Sequence, residues 1–188
     1  MMANQHKYSG ILIAVLLLFV GGHSNATSWR IGNNDNYQAH FTDINEAMGS
    51  SEVQDGDILY LNPGCMLGGN QTVSKRVTVI GTGFMSDHPQ TACITGTLYI
   101  NADSVRFESV SMGYIFIGAD HVTIERCQTG HILWSKQGRY LTLRQSKVGR
   151  VLGTDSALTP HKAWTYYFKT DIFYFSYYFF NFSYWCFC

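Results

Sequence analysis

Charge is scarce and balanced in this chain. Lys and Arg number 13, Asp and Glu number 13, and together they make up 14% of 188 residues, well below the usual quarter. A formal net charge of zero gives no long-range field to draw in nucleic acid or an anionic membrane surface. No nucleic-acid partner is therefore expected. Proline is rare, with 3 residues, whereas glycine is frequent, with 18. That balance disfavours a helical bundle and favours many tight turns between short strands. The 5 cysteines form neither a zinc spacing nor a C-x-x-C redox pair. Cys127 fits a small buried hydrophobe, and the spacing leaves a Cys65–Cys93 bridge open. A Gly-rich phosphate loop, a basic cluster and a nucleotide motif are all missing.

Long hydrophobic runs are also missing. Residues 11–20 are uninterrupted apolar, but ten residues fall short of the ~20 that span a bilayer. They suit the core of a signal peptide. His6 and Lys7 give it a weakly basic start, Gly21-Gly22 break it, and Ser24-Asn25-Ala26 offer small residues for cleavage. Residues 1–26 are therefore read as an export signal, and the protein is expected to be secreted, periplasmic or at the cell surface.

Residues 27–56 read as an irregular lead-in followed by a short amphipathic helix. Thr42 is the expected N-cap, and Ile44, Ala47 and Met48 share one face. Asp55-Gly56 is a turn dipeptide. The period then changes to alternation: Leu59 and Leu61 fall on one face, as do Val77 and Val79.

Beyond Gly96 the chain repeats itself. LYINADSVRFESVSMGY (98–114) lies over IFIGADHVTIERCQTGH (115–131). Every offset is 17: Leu98 with Ile115, Ile100 with Ile117, Val105 with Val122, Phe107 with Ile124, Val110 with Cys127. A third copy starts at Ile132, with Leu141-Thr142-Leu143 displaced by two further residues and Gln137-Gly138 expected to absorb the insertion. A unit this short cannot hold a strand and a crossover helix, which need ~30 residues. It does hold one coil of a solenoid with two or three short strands. Stacked coils rise ~4.8 Å each. Val105/Val122/Leu141 and Phe107/Ile124/Leu143 then form inner ladders, and burying each side chain contributes ~1.5–3 kcal/mol. Arg106/Thr123/Thr142 and Glu108/Glu125/Arg144 form outer columns. The expected architecture is an all-β parallel β-helix over residues 57–153, preceded by a short capping helix.

Residues 41–83 carry a family resemblance. Ile44-Asn45-Glu46-Ala47, then Gly56-Asp57 through Pro63-Gly64, then Val77 through Gly83 are similar to the opening of bacterial right-handed parallel β-helix proteins of the pectin-lyase-like superfamily. In those, a capping helix closes the coil stack and two strands follow. The resemblance implies a right-handed, single-stranded coil. It implies no single activity, because lyases, hydrolases, epimerases, adhesins and inert scaffolds share the fold. The chain departs from the family in having only about five coils. It also departs in residues 154–188, an aromatic-rich tail that holds about half of all the aromatics. That tail is expected to be an aberrant or truncated end of a longer β-helix. A membrane anchor and a plug over the last coil are the other readings.

Candidate site residues follow from the outer faces. Asp103 and Asp120 stack at one corner, where Asp commonly bonds its own backbone. Two stacked carboxylates also suit a hard cation such as Ca²⁺, although no cofactor is expected. Glu108, Glu125, Arg106 and Arg144 form a mixed-charge face that reads as solvated. Trp134, with Tyr114 and Tyr99, would make a sugar-stacking strip if all three project outward. His121 and His131 have no nucleophile or carboxylate at a defined spacing, so a surface or corner role is expected. The reading is a surface scaffold or a carbohydrate-binding or adhesive module with a polysaccharide or cell-surface glycan as partner. The alternative is a polysaccharide lyase or glycoside hydrolase.

Overall fold

The computed structural model describes residues 26–34, 36–84, 88–135 and 140–153, together with the backbone of residues 154, 163–164 and 172–175. Residues 1–25 of the expected export signal lie outside the described residues, as do Gln137-Gly138. The protein is mostly β with parallel sheets. A first sheet has the order β1 (Ser28–Ile31), β2 (Ile58–Leu61), β5 (Thr78–Ile80), β7 (Arg106–Glu108), β9 (Thr123–Glu125), β11 (Leu141–Arg144) and β14 (Ile172–Phe175). A second has the order β13 (Ala163–Trp164), β12 (Lys147–Thr154), β10 (Gln128–Ser135), β8 (Ser111–Ile117), β6 (Cys93–Ile100) and β3 (Met66–Leu67), with β4 (Gln71–Val73) also on β6. From β5 to β12, consecutive strands alternate between the sheets, and each of β5 to β10 pairs in parallel with the strand two further on. The antiparallel pairs are β11 with β14 and β12 with β13.

The repeat fixes this register. Leu98 faces Ile115 and Ile100 faces Ile117, Phe107 faces Ile124, and Ile115 faces Ile132, all at the offset of 17. The next coil carries the two-residue insertion: Leu143 faces Ile124 and Val151 faces Ile132. Column members share one environment, so the inner ladders Val105/Val122/Leu141 and Phe107/Ile124/Leu143 are buried throughout. The strands are short because left-handed backbone closes each one. Ser104, His121 and Tyr140 sit at φ 59°, 57° and 60° before the first-sheet strands, and Ser109, Arg126 and Gln145 at 56°, 50° and 47° after them. In the second sheet, glycines let successive coils approach closely. A Cβ on Gly149 would lie 2.5 Å from the carbonyl oxygen of Gly130, and one on Gly96 would overlap that of Gly69.

The lead-in differs from expectation. Ser28–Ile31 is a strand, paired in parallel with Ile58–Leu61. Its anchor is Asp57, which is buried and accepts from Thr27 N at 2.7 Å, the Trp29 indole at 2.8 Å and Gln54 N at 2.8 Å. Thr27 and Trp29 lie 30 and 28 residues before Asp57, so periodicity alone gives no sign of the strand.

Helix α1 (Ile44–Gly49) buries Ile44, Ala47 and Met48 as expected, but its N-cap is Asp43. The Asp43 carboxylate accepts from Glu46 N at 2.8 Å, while Glu46 reaches back to Thr42 N and Oγ1. The arrangement is a variant of the capping box, in which Glu46 closes on Thr42, the residue before the cap, rather than on Asp43 itself. Buried Gln71 ties helix to coil, accepting from Ile44 N and donating to Gly68 O.

Candidate functional site

The first sheet carries charge on its outer face. Alternation turns Arg106, Glu108, Glu125 and Arg144 outward, and the register stacks Glu108 on Glu125 and Glu125 on Arg144. Arg106 Nη2 lies 3.0 Å from Glu108 and 2.6 Å from Glu125, so one guanidinium joins the two carboxylates. Arg126, on the following corner, pairs with the second oxygen of Glu108. Arg144 reaches Glu125 at a looser 3.8 Å. Partial burial raises the Glu108 carboxyl, but Arg106 and Arg126 more than reverse this and hold it below the ordinary glutamate value. A glycosidase acid needs the opposite shift. Here both stacked carboxylates are engaged by arginine.

The corner residues are architectural. Asp103 Oδ1 accepts the backbone N–H of Asp120 at 2.8 Å, and Ser104 N donates to Asp120 O at 2.9 Å. The carboxylate of one coil thus holds the turn of the next. No group of three or more metal-ligating side chains occurs among the described residues. His121 stacks on Tyr140 at 4.6 Å along the same edge. Asp103 also borders an open polar depression with Asp55, Ser74, Arg76, Ala102 and Ser104.

Among the described residues, Cys65, Cys93 and Cys127 are free thiols. Met66 faces Cys93 across the second sheet, and strand alternation then puts Cys65 on the inner side and Cys93 on the outer. No bridge joins them. Burial pushes the Cys65 thiol up to about 11 and the Cys127 thiol to about 12, so neither supplies a thiolate near neutral pH.

The second sheet carries aromatic rings on its outer face. Leu98, Ile115, Ile132 and Val151 point inward. Their neighbours Tyr99, Phe116, Leu133 and Leu152 form one outer column, and Thr97, Tyr114, His131 and Arg150 form another. Tyr99 stacks on Phe116 with centroids 5.1 Å apart and planes at 14°. Tyr114 stacks on His131 at 4.9 Å and 7°. Those separations are close to the ~4.8 Å spacing of neighbouring strands, and all four rings keep part of their surface open to solvent. Tyr114 is 51% exposed and Phe116 37%. The strands of this sheet contain no carboxylate among the described residues, whereas Lys147 and Arg150 lie at its last coil.

Trp134 does not join this face. It is 8% exposed and continues the inner column Ile100/Ile117/Trp134. The repeat carries this information, because Trp134 lies 17 residues after Ile117. The same alternation turns Phe116, His131 and Leu133 outward. They take the place beside Tyr99 and Tyr114 that was expected of the tryptophan.

Among the described residues no helix is long and apolar enough to cross a membrane. No family model matches the chain, and neither a curated protein nor a solved structure does.

Proposed function

We propose that the chain is a non-catalytic surface module, a right-handed single-stranded parallel β-helix of the pectin-lyase-like kind, that binds a carbohydrate chain on the outer face of its second sheet. A general rule supports the right-handed reading: β7, β8 and β9 make a crossover between parallel neighbours, and such crossovers are right-handed in about 98% of cases. The carrying observation is the pair of ring stacks, Tyr99 on Phe116 and Tyr114 on His131, side by side and turned outward. Sugar rings present axial C–H groups to such surfaces, and the Tyr99, Tyr114 and His131 polar atoms supply hydrogen bonds at the rim. An extended face of repeated rings suits a polymer better than a single sugar.

Export to the envelope or surface follows from the signal-like segment at residues 1–26. The engaged state of Glu108 and Glu125 speaks for binding without turnover. A glycan array probed with the full chain, with and without calcium, is the test. Calcium-independent retention of one class of polysaccharide with no new reducing ends is the expected result. Release of unsaturated sugars would overturn the reading in favour of a lyase.

A further inference from the structure

We propose that strands β13 and β14 form a reversed cap that shields the open edge of the last coil and keeps two copies of this chain from pairing through it. The two ends of the stack are built differently. At the first coil, residues 40–41 lie against β1, with His40 N and Phe41 N donating to Arg30 O, and Phe41, Ile44, Ala47 and Met48 cover the core. At the last coil no helix plays this part among the described residues, and the two sheets end instead on β14 and β13.

Hydrogen-bond direction shows what β14 covers. Thr142 N donates to Val122 O at 2.8 Å and Arg144 O accepts from Arg126 N at 3.0 Å, so Thr142 and Arg144 turn their backbone groups towards β9. Alternation turns those of Leu141 and Leu143 the other way, onto the free edge. There β14 runs antiparallel, with Phe175 opposite Leu141 and Phe173 opposite Leu143. Those two become hydrogen-bonded pairs, while Tyr174, opposite Thr142, turns its N–H away from β11. On the second sheet β13 meets Val151 and Leu152 in the same reversed sense. The coils all run in one direction, so a reversed strand satisfies the edge without presenting the parallel template that the next coil would need. An uncovered edge of this kind is a site for pairing with another chain.

Backbone amide exchange and light scattering on four forms test this: the full chain, Phe173→Pro, Tyr174→Pro, and a form ending at Thr154. Proline removes an N–H, so it is harmful where that N–H bonds the neighbour and tolerated where it faces away. Phe173→Pro is expected to speed exchange at Leu143 by about tenfold or more, while the Ile124 amide in the middle of the stack stays protected. Tyr174→Pro is expected to leave Leu143 within a few-fold of the parent. The form ending at Thr154 is expected to show a mass that rises with concentration, against a constant mass for the full chain. Equal behaviour of the two proline forms would overturn the cap, as would a shortened form that stays monomeric. If the shortened form does not fold, the proline pair decides the question alone. Glycan binding by the second sheet is independent of either result.

Discussion

The outer faces of the two parallel sheets share one backbone plan and differ in what their columns do. On the first sheet, Glu108 and Glu125 stand one above the other, and three arginines gather around them. The like-charge repulsion of a stacked pair is thereby offset within the protein, and the face closes on itself. On the second sheet, Tyr99 with Phe116 and Tyr114 with His131 also stack along the column. Stacked rings have no charge to neutralise in one another, and these keep apolar area in water. A ladder of opposite charges consumes its own binding capacity, whereas a ladder of rings retains it. This difference is why the proposed binding site is placed on the second sheet.

The largest test asks whether the two faces belong to one cooperative body. Phe107 is fully buried in the column between Val79 and Ile124, directly behind the charged face. Phe107→Ala is expected to cost about 3–5 kcal/mol, read as a lower urea midpoint. Hydrogen exchange at Ile115 and Ile132 in the second sheet should accelerate along with that of Val79 and Ile124. Acceleration confined to the first sheet would separate the faces and break the comparison.

Next in size is the buried anchor beneath the first sheet. Asp57→Ala leaves the Trp29 indole and the N–H groups of Thr27 and Gln54 without their acceptor. A cost of roughly 3 kcal/mol is expected. Burial raises the Asp57 carboxyl, but its donors and Lys75 more than reverse this and hold it below the ordinary aspartate value. Glu108 is depressed in the same way. Groups with lowered folded values contribute stability above their unfolded pKa values, about 3.9 for Asp and 4.3 for Glu. They lose it as the pH falls through and below that range. Urea midpoints should therefore be flat between about pH 7 and 5 and fall below about pH 4. Asp57→Asn should flatten part of that fall, and an unchanged acid limb would show that Asp57 does not tie β1 to the stack.

Much of this plan is legible in the sequence, for a physical reason. Residues that stack in a repeating coil must suit the same environment, so Val105/Val122/Leu141 and Arg106/Thr123/Thr142 advertise their columns through chemistry. What escapes notice depends on geometry without a matching residue type. The left-handed corners are filled by Ser104, His121 and Tyr140, where Gly or Asn would have given a signal. The strand Ser28–Ile31 depends on a carboxylate about thirty positions away. Trp134 joins a sugar-stacking strip only if it projects outward, and a ring near a strand end packs inward as naturally. The column set by Ile117 decides between the two and places it in the core.

The aromatic face supplies the third test. Tyr114→Ala and Phe116→Ala each remove one ring of a stacked pair, which is worth about 1 kcal/mol to the fold. Each should weaken glycan binding by about tenfold while the urea midpoint shifts only slightly. Arg106→Ala, on the opposite face, should leave binding unchanged. Comparable losses from both faces would mean that the ligand does not distinguish charge from rings, and the assignment to the second sheet would fail.

The smallest effect comes from the charged ladder itself. Glu108→Gln keeps the shape and some hydrogen bonding while removing the charge that Arg106 and Arg126 share. The arginine side chains are 40% and 47% exposed, so solvent screens the pairs and a loss of about 1 kcal/mol or less is expected. Glu108→Gln also ends the repulsion between Glu108 and Glu125, which works in the opposite direction. Added salt should shrink the difference between parent and variant, since screening weakens attraction and repulsion alike. A double-mutant cycle of Glu108→Gln with Arg126→Ala, repeated at low and high salt, isolates the pair from the rest of the ladder. A coupling that vanishes in salt marks a solvated face with no further task. One that survives would mean that the ladder is drier than its exposure implies and holds the coils in register from outside as the apolar columns do from within.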